Sequence, residues 1–87
     1  MLDRNTLKQT LKVIIVEECD KDIAPVSIRD DELLIGGGLE LDSLDALQIS
    51  LAIKSRYGVR IEGGAKARAA FQSVNTLADT ILAEKPV

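Results

Sequence analysis

The sequence predicts an all-α fold, a four-helix bundle with a short third helix and a long loop between helices 1 and 2. Apolar residues recur at spacings of three and four, the period of an amphipathic helix. Glycine and proline fall between the periodic segments. The length of 87 residues suits one small domain with a small core, so residues 1–87 are predicted to form a single domain without strands.

The first helix is predicted over residues 4–19, with Asp3 as its N-cap. The stretch 13–16 is apolar and β-branched, which locally favours a strand. Its polar flanks and the lack of a hairpin partner favour a helix instead. Cys19, at the end of this helix, is interpreted as a small core residue. The predicted buried face consists of Leu7, Leu11, Ile14 and Ile15.

Residues 20–42 are predicted as an irregular but ordered loop. Pro25 and the glycines at 36–38 interrupt any helix. Apolar residues scattered through the segment indicate that it packs over the core, and a loop of this length inside a compact domain tends to be functional. We expect one helical turn near residues 31–34 and a solvated acidic face at residues 30–32.

The second helix is predicted over residues 43–57 and is the clearest of the four. Asp42 is its N-cap, and Asp45, three residues later, completes an approximate capping box with Asp in the usual Glu position. Both carboxylates suit the positive end of the helix dipole. Gly58 is well placed to end the helix.

The rest of the chain is predicted to hold a short helix over residues 65–70 and a last helix over residues 74–84. The alanine-rich composition of the short segment has high helix propensity. Ser73 can cap the last helix. That helix has apolar residues at i, i+3, i+4 and i+7, namely Val74, Leu77, Ala78 and Ile81.

The composition excludes several classes of function. The chain has no histidine, so it cannot build a Ser-His or Cys-His nucleophile pair or a His-based metal site. Cys19 is the only cysteine, which excludes an internal disulfide. Two aromatic residues and a net charge of −3 disfavour nucleic acid as a partner. No apolar run approaches a membrane span, and no signal peptide is evident. We therefore expect a cytoplasmic, monomeric binding or carrier module that is not an enzyme.

The most informative segment is Asp42-Ser43-Leu44, which places a serine in the first turn of a helix. Taken by itself, Ser43 reads as an ordinary helix-start residue. Together with the chain length and the order of elements, however, the segment resembles the modification motif of the acyl carrier protein family. The resemblance covers nearly the whole chain and includes the long glycine-containing loop, Tyr57, Val59, Ile61 and the stretch 71–74.

This resemblance implies a specific function. In that family, a separate phosphopantetheinyl transferase moves a 4′-phosphopantetheine arm from coenzyme A to the serine, here Ser43. The arm then holds acyl intermediates as thioesters for acyl-transferring and acyl-modifying enzymes, as in fatty acid biosynthesis. Asp42 matches the aspartate associated with transferase recognition and its magnesium ion, and Leu44 matches the leucine against which partners dock.

The second helix is predicted to have two apolar faces. At about 100° per residue, one face continues to Tyr57 and is predicted to be the core face. An acyl chain could enter between this face and the neighbouring helices. The opposite face is either covered by the long loop or exposed as a docking surface, which the resemblance favours. The predicted core face is Ala46, Ile49, Ile53 and Tyr57, and the predicted docking residues are Leu44, Asp45, Leu47, Leu51, Lys54 and Arg56.

The charges of the second helix depart from the family pattern. Many carriers of bacterial fatty acid synthesis have an acidic second helix, whereas Lys54 and Arg56 make the second half of this helix basic. Either these residues only suit the helix C-terminus, or the protein serves a specialised lipid or polyketide pathway with its own partners. An aminoacyl or peptidyl carrier on the same fold, and an unmodified helical interaction module, are alternative hypotheses.

Overall fold

The computed structural model describes residues 3–34, 41–61 and 64–84. Within these ranges the protein is helical and has no strand, so the predicted all-α bundle with four helices and a short third one is confirmed. The elements are α1 (Arg4–Glu18), a 3₁₀ turn (Pro25–Ser27), α2 (Ser43–Tyr57), α3 (Ala65–Ala70) and α4 (Val74–Glu84).

A single aliphatic core holds these helices together. α1 packs against α2 and α4, and α3 packs against α4. Phe71, directly after α3, is the largest fully buried side chain. Each buried large aliphatic residue contributes about 1.5–3 kcal/mol, so burial is the main stabilising term. The fully buried helical side chains include Leu7, Leu11, Ile15, Ile49, Ile53, Val74, Leu77 and Ile81.

The predicted helix ends are confirmed to within one residue. The Asp3 carboxylate accepts a hydrogen bond from the backbone N–H of Thr6 at 3.0 Å. α1 ends at Glu18 rather than at Cys19, which is its C-cap. Ser73 caps α4 reciprocally: its Oγ accepts from the N–H of Thr76 at 3.2 Å, and its own N–H donates to Thr76 Oγ1 at 2.9 Å.

The long loop is ordered where the structure describes it, but its helical turn lies elsewhere than predicted. The turn is at Pro25–Ser27, because a proline with its fixed φ suits the first position of a helical turn. The turn expected at residues 31–34 is absent, and Leu34 is instead buried, with its N–H donating to the carbonyl of Gln72 at 3.1 Å. The glycines at 36–38, expected as a connection, lie outside the described residues.

Asp30 ties the loop to two helices. Its Oδ2 lies 2.9 Å from Lys8 Nζ and its Oδ1 lies 2.6 Å from Lys12 Nζ, both on α1. Its carbonyl accepts a hydrogen bond from the N–H of Asn75 in α4 at 3.0 Å. The contacts with Lys12 and Lys8 lower the pKa of Asp30 to about 2. Within the acidic face expected at residues 30–32, Asp30 is thus only partly exposed and bound to two lysines, whereas Asp31 is exposed.

We predict that Asp30→Asn destabilises the fold by about 1 kcal/mol at neutral pH, a value discounted because the carboxylate is partly exposed. The folded-state pKa lies below the ordinary value of 3.8, so this stability is present above that pH and is lost as the pH falls towards about 2. Urea unfolding at pH 7 and across that acidic window measures both effects.

The matched control is Asp31→Asn, one residue along the same turn. Asp31 lies 3.6 Å from Arg29 Nε, with both side chains largely exposed, so this change should be close to neutral. Equal losses for the two variants, or an unchanged acid response in Asp30→Asn, would contradict the assigned role.

Candidate functional site

The start of α2 is fixed by a complete capping box, as predicted. Asp42 Oδ1 accepts a hydrogen bond from the N–H of Asp45 at 2.9 Å, and Asp45 Oδ2 accepts one from the N–H of Asp42 at 3.2 Å. The carbonyl of Asp42 also accepts from the N–H of Ala46 at 3.0 Å. Three hydrogen bonds within five residues therefore set where the helix begins.

Ser43 is the first residue of α2 and is exposed. Neighbouring Asp42 has an extended backbone, so the helical conformation begins at Ser43. The structure gives the hydroxyl of Ser43 no hydrogen bond to any residue it describes. The side chain is consequently accessible and chemically uncommitted.

A groove of about 420 Å³ runs from Ser43 between α2 and α3. It exists because the backbones of α2 and α3, within the described residues, do not approach each other closely, whereas both helices pack against other partners. Its deepest lining residues, Ile61 and Phe71, belong to the buried core. The residues lining this α2–α3 groove are Ser43, Ala46, Leu47, Ser50, Ile61, Gly64, Ala67, Arg68 and Phe71.

Sequence reasoning anticipated a space beside α2 but missed the α3 wall. The signal was present, because Ser43, Ala46, Leu47 and Ser50 follow the i, i+3, i+4, i+7 spacing of one helix face. The residues at positions 64, 67, 68 and 71 repeat that spacing on the other wall. Gly64 adopts a φ of +82°, a conformation that side-chain-bearing residues rarely take, and this lets the chain turn into α3.

The outer face of α2 is exposed, and the described part of the long loop does not cover it. Leu44, Leu47 and Leu51 are 62%, 53% and 55% exposed, whereas Ile49 and Ile53 on the opposite face are fully buried. We call the three exposed leucines the leucine strip. Three adjacent leucines left in solvent form an apolar patch of the kind that marks interaction sites.

The two predicted docking cations, Lys54 and Arg56, lie at different places relative to this strip. Lys54 follows Leu47 by seven residues and so continues the strip at its C-terminal end. Arg56 lies on the other side, where it lines a shallow depression of about 430 Å³ with Glu17 and Glu18 of α1. Both cations are exposed, and neither forms an ion pair with a described residue.

Asp45 faces α1 rather than the leucine strip. Two effects raise the pKa of the Cys19 thiol to about 11: partial burial, which is the larger, and the nearby carboxylate of Asp45. The thiol therefore stays protonated at neutral pH and is a poor nucleophile. Cys19 packs against the core as predicted, although it is only partly buried.

Other kinds of site find no support in the part of the chain that the structure describes. No cluster of three or more potential metal ligands occurs among those residues. Of the helices described, none has the length and apolarity to cross a membrane. A scan against protein-family models gives no match for the chain, and a search of curated proteins gives no significant match. The family resemblance thus rests on the residues of the chain itself.

We predict that Asp42→Ala destabilises the protein by about 1 kcal/mol, because it leaves the N–H of Asp45 without its capping acceptor. Asp42→Asn, which retains a capping oxygen, should change the free energy of unfolding by only a few tenths of that amount. Chemical denaturation of both variants checks this. Equal destabilisation would show that the charge of Asp42, rather than its cap, matters for folding.

Proposed function

We propose that this protein is an acyl carrier protein that holds acyl intermediates on a 4′-phosphopantetheine arm attached to Ser43. The observation that carries this proposal is geometric. An exposed, uncommitted serine hydroxyl lies at the rigidly capped start of a helix, on the rim of a groove with an apolar floor. The resemblance of Asp42-Ser43-Leu44 to the modification motif points to the same residue.

The α2–α3 groove fits the cargo of such an arm. Its volume of about 420 Å³ lies within the usual range for small-molecule sites. The side chains of Leu47, Ile61 and Phe71 would shield an apolar chain from water. When bound, the arm supplies the thiol that carries the acyl group as a thioester. The chain's own residues position Ser43, and partner enzymes supply the bond chemistry.

Asp42 suits recognition by the phosphopantetheinyl transferase. Its Oδ1 is engaged in the cap, but its Oδ2 has no partner among the described residues and the side chain is exposed. One oxygen can therefore hold the helix start while the other contacts a magnesium ion or a donor group in the transferase. Both tasks use a side chain whose orientation the cap has already fixed.

We predict that a broad-specificity phosphopantetheinyl transferase, with coenzyme A and magnesium, adds one arm to this protein at Ser43. Intact-mass measurement should show a single phosphopantetheinyl increment, and Ser43→Ala should abolish it. The fold should survive this substitution, because the Ser43 side chain is exposed and makes no hydrogen bond to a described residue. Circular dichroism verifies the fold.

Ser50→Ala and Ser55→Ala, on the same helix, serve as matched controls and should be modified like the wild type. Modification at either of these serines, or at Ser27 or Ser73, would overturn the assignment of Ser43. No modification by several transferases would favour the unmodified interaction module.

The leucine strip and its flanking cations support a partner with complementary chemistry. An apolar contact beside Ser43 would bring a partner's active site to the arm, and the charges around it would set orientation and on-rate. Because Lys54 and Arg56 are free of described ion pairs, a dedicated partner should present acidic groups opposite the second half of α2. Such a partner belongs to a specialised lipid or polyketide pathway.

We predict that Lys54→Glu with Arg56→Glu weakens transfer to the native partner and improves transfer by a generic fatty acid ketosynthase with a basic docking patch. Both rates should be measured at low and moderate salt, because screening must reduce a contact of this kind. Arg60→Glu, at an exposed cation outside the helix, is the control for a charge reversal elsewhere on the surface and matches either single change, Lys54→Glu or Arg56→Glu. If neither rate responds to the double change, these cations serve only the helix C-terminus.

A further inference from the structure

The α2–α3 groove contains two polar side chains that its neighbours do not satisfy. Ser50 is partly buried on the α2 wall, and Arg68 is an exposed residue of the α3 wall. Neither makes a hydrogen bond or ion pair with a residue that the structure describes. On the same short helix, by contrast, Lys66 Nζ lies 2.9 Å from a carboxylate oxygen of Glu84.

The side chains that line the groove offer more hydrogen-bond donors than acceptors. Its described lining includes the guanidinium of Arg68 and the hydroxyl of Ser50 but no carboxylate and no side-chain amide. Ser50 lies seven residues after Ser43, which places it two turns or about 10 Å further along α2. Ser50 is therefore inside the groove, beyond the rim at which Ser43 lies, and the exposed Arg68 lines the opposite wall.

A purely hydrocarbon chain would match the apolar floor of this groove but not its two donors. Lying against Ser50 and Arg68, such a chain would displace their water without offering a hydrogen-bond acceptor in return. An oxygen-bearing chain would replace that water. Arg68 favours an anionic oxygen most, because a guanidinium binds a carboxylate through two parallel hydrogen bonds.

We propose that the groove selects acyl chains that carry an oxygen acceptor along an otherwise apolar body, with Ser50 and Arg68 as its specificity-determining residues. This inference rests on the proposed function and names the class of cargo that the function leaves open. The acceptor is a carboxylate or a neutral carbonyl, and a carboxylate is held more tightly than a carbonyl.

The test compares three six-carbon cargoes loaded onto Ser43 from their coenzyme A thioesters: hexanoyl, 5-oxohexanoyl and adipoyl. Intact mass first establishes that each form is fully loaded. The 5-oxohexanoyl and adipoyl forms should melt above the hexanoyl form, the adipoyl form by about 2–4 °C. If the 5-oxohexanoyl and adipoyl forms have equal melting temperatures, a neutral acceptor is sufficient and the preference for a carboxylate is overturned.

Variants then separate selectivity from general stability. Arg68→Met removes the donors but keeps an apolar stem, and it should abolish the adipoyl advantage, whereas Arg60→Met, outside the groove, should preserve it. Ser50→Ala should reduce the advantage, and Ser55→Ala should not. A second readout is the pKa of the adipoyl carboxyl group, followed by ¹³C NMR. A neighbouring guanidinium lowers that pKa in the wild type, and Arg68→Met should restore it.

The inference is overturned if the hexanoyl form is the most stable, or if Arg68→Met leaves the pKa of the adipoyl carboxyl group unchanged. Failure of the proposed function is a separate result, seen as no loading of Ser43. In that case the same three acyl groups can be attached to the amine of cysteamine, which leaves its thiol free. That thiol can then form a disulfide with the cysteine of the Ser43→Cys variant in a Cys19→Ala background. Their melting order decides the selectivity of the groove without any transferase.

Discussion

Burial of Ile49 and Ile53 fixes the rotation of α2, and the features of the candidate site follow from that rotation. Both side chains are fully buried, and at about 100° per residue they leave only one orientation for the rest of the helix. Ser43 and Ser50 then fall on the α3 side, the leucine strip faces outward, and Asp45 with Arg56 faces α1. Shifting the apolar pattern by one residue would turn the helix by about 100° and separate Ser43 from the groove.

The loop that follows α1 ties α1 to α4. Asp30 holds Lys8 and Lys12 of α1 and the backbone of Asn75 in α4, so the loop bridges the two helices that form most of the core. Leu34, bound to the carbonyl of Gln72, extends this connection towards the end of α3. The described part of this connection, residues 19–34, thereby belongs to the packed fold, and buried apolar side chains and partly exposed ion pairs offset the entropy of fixing it.

The helices and their caps could be predicted because their signals are local. Asp42 and Asp45 lie three residues apart, and the apolar spacing of α4 lies within one segment. The contacts of Asp30 could not be predicted from local sequence, because they join residues about 20 to 45 positions apart. In addition, no neighbouring residue in the sequence distinguishes Asp30 from Asp31. The α3 wall of the groove was missed for a related reason: each wall has its own helical spacing, but only the tertiary fold brings positions 43–50 and 64–71 together. Exposure of the leucine strip likewise depended on the path of the loop.

The charged residues of α2 support the proposed function less strongly than its exposed leucines and Ser50 do. Asp42 and Asp45 are accounted for by the capping box, and Lys54 with Arg56 suits the negative end of the helix dipole, so a purely structural helix would favour the same charges. Helix stability gives no comparable reason for three leucines in solvent or for a polar Ser50 within an apolar groove. These residues oppose solubility and packing unless something covers the leucines and contacts the serine. The leucine strip and the groove, with Ser43 between them, are thus the features on which the proposed function mainly rests.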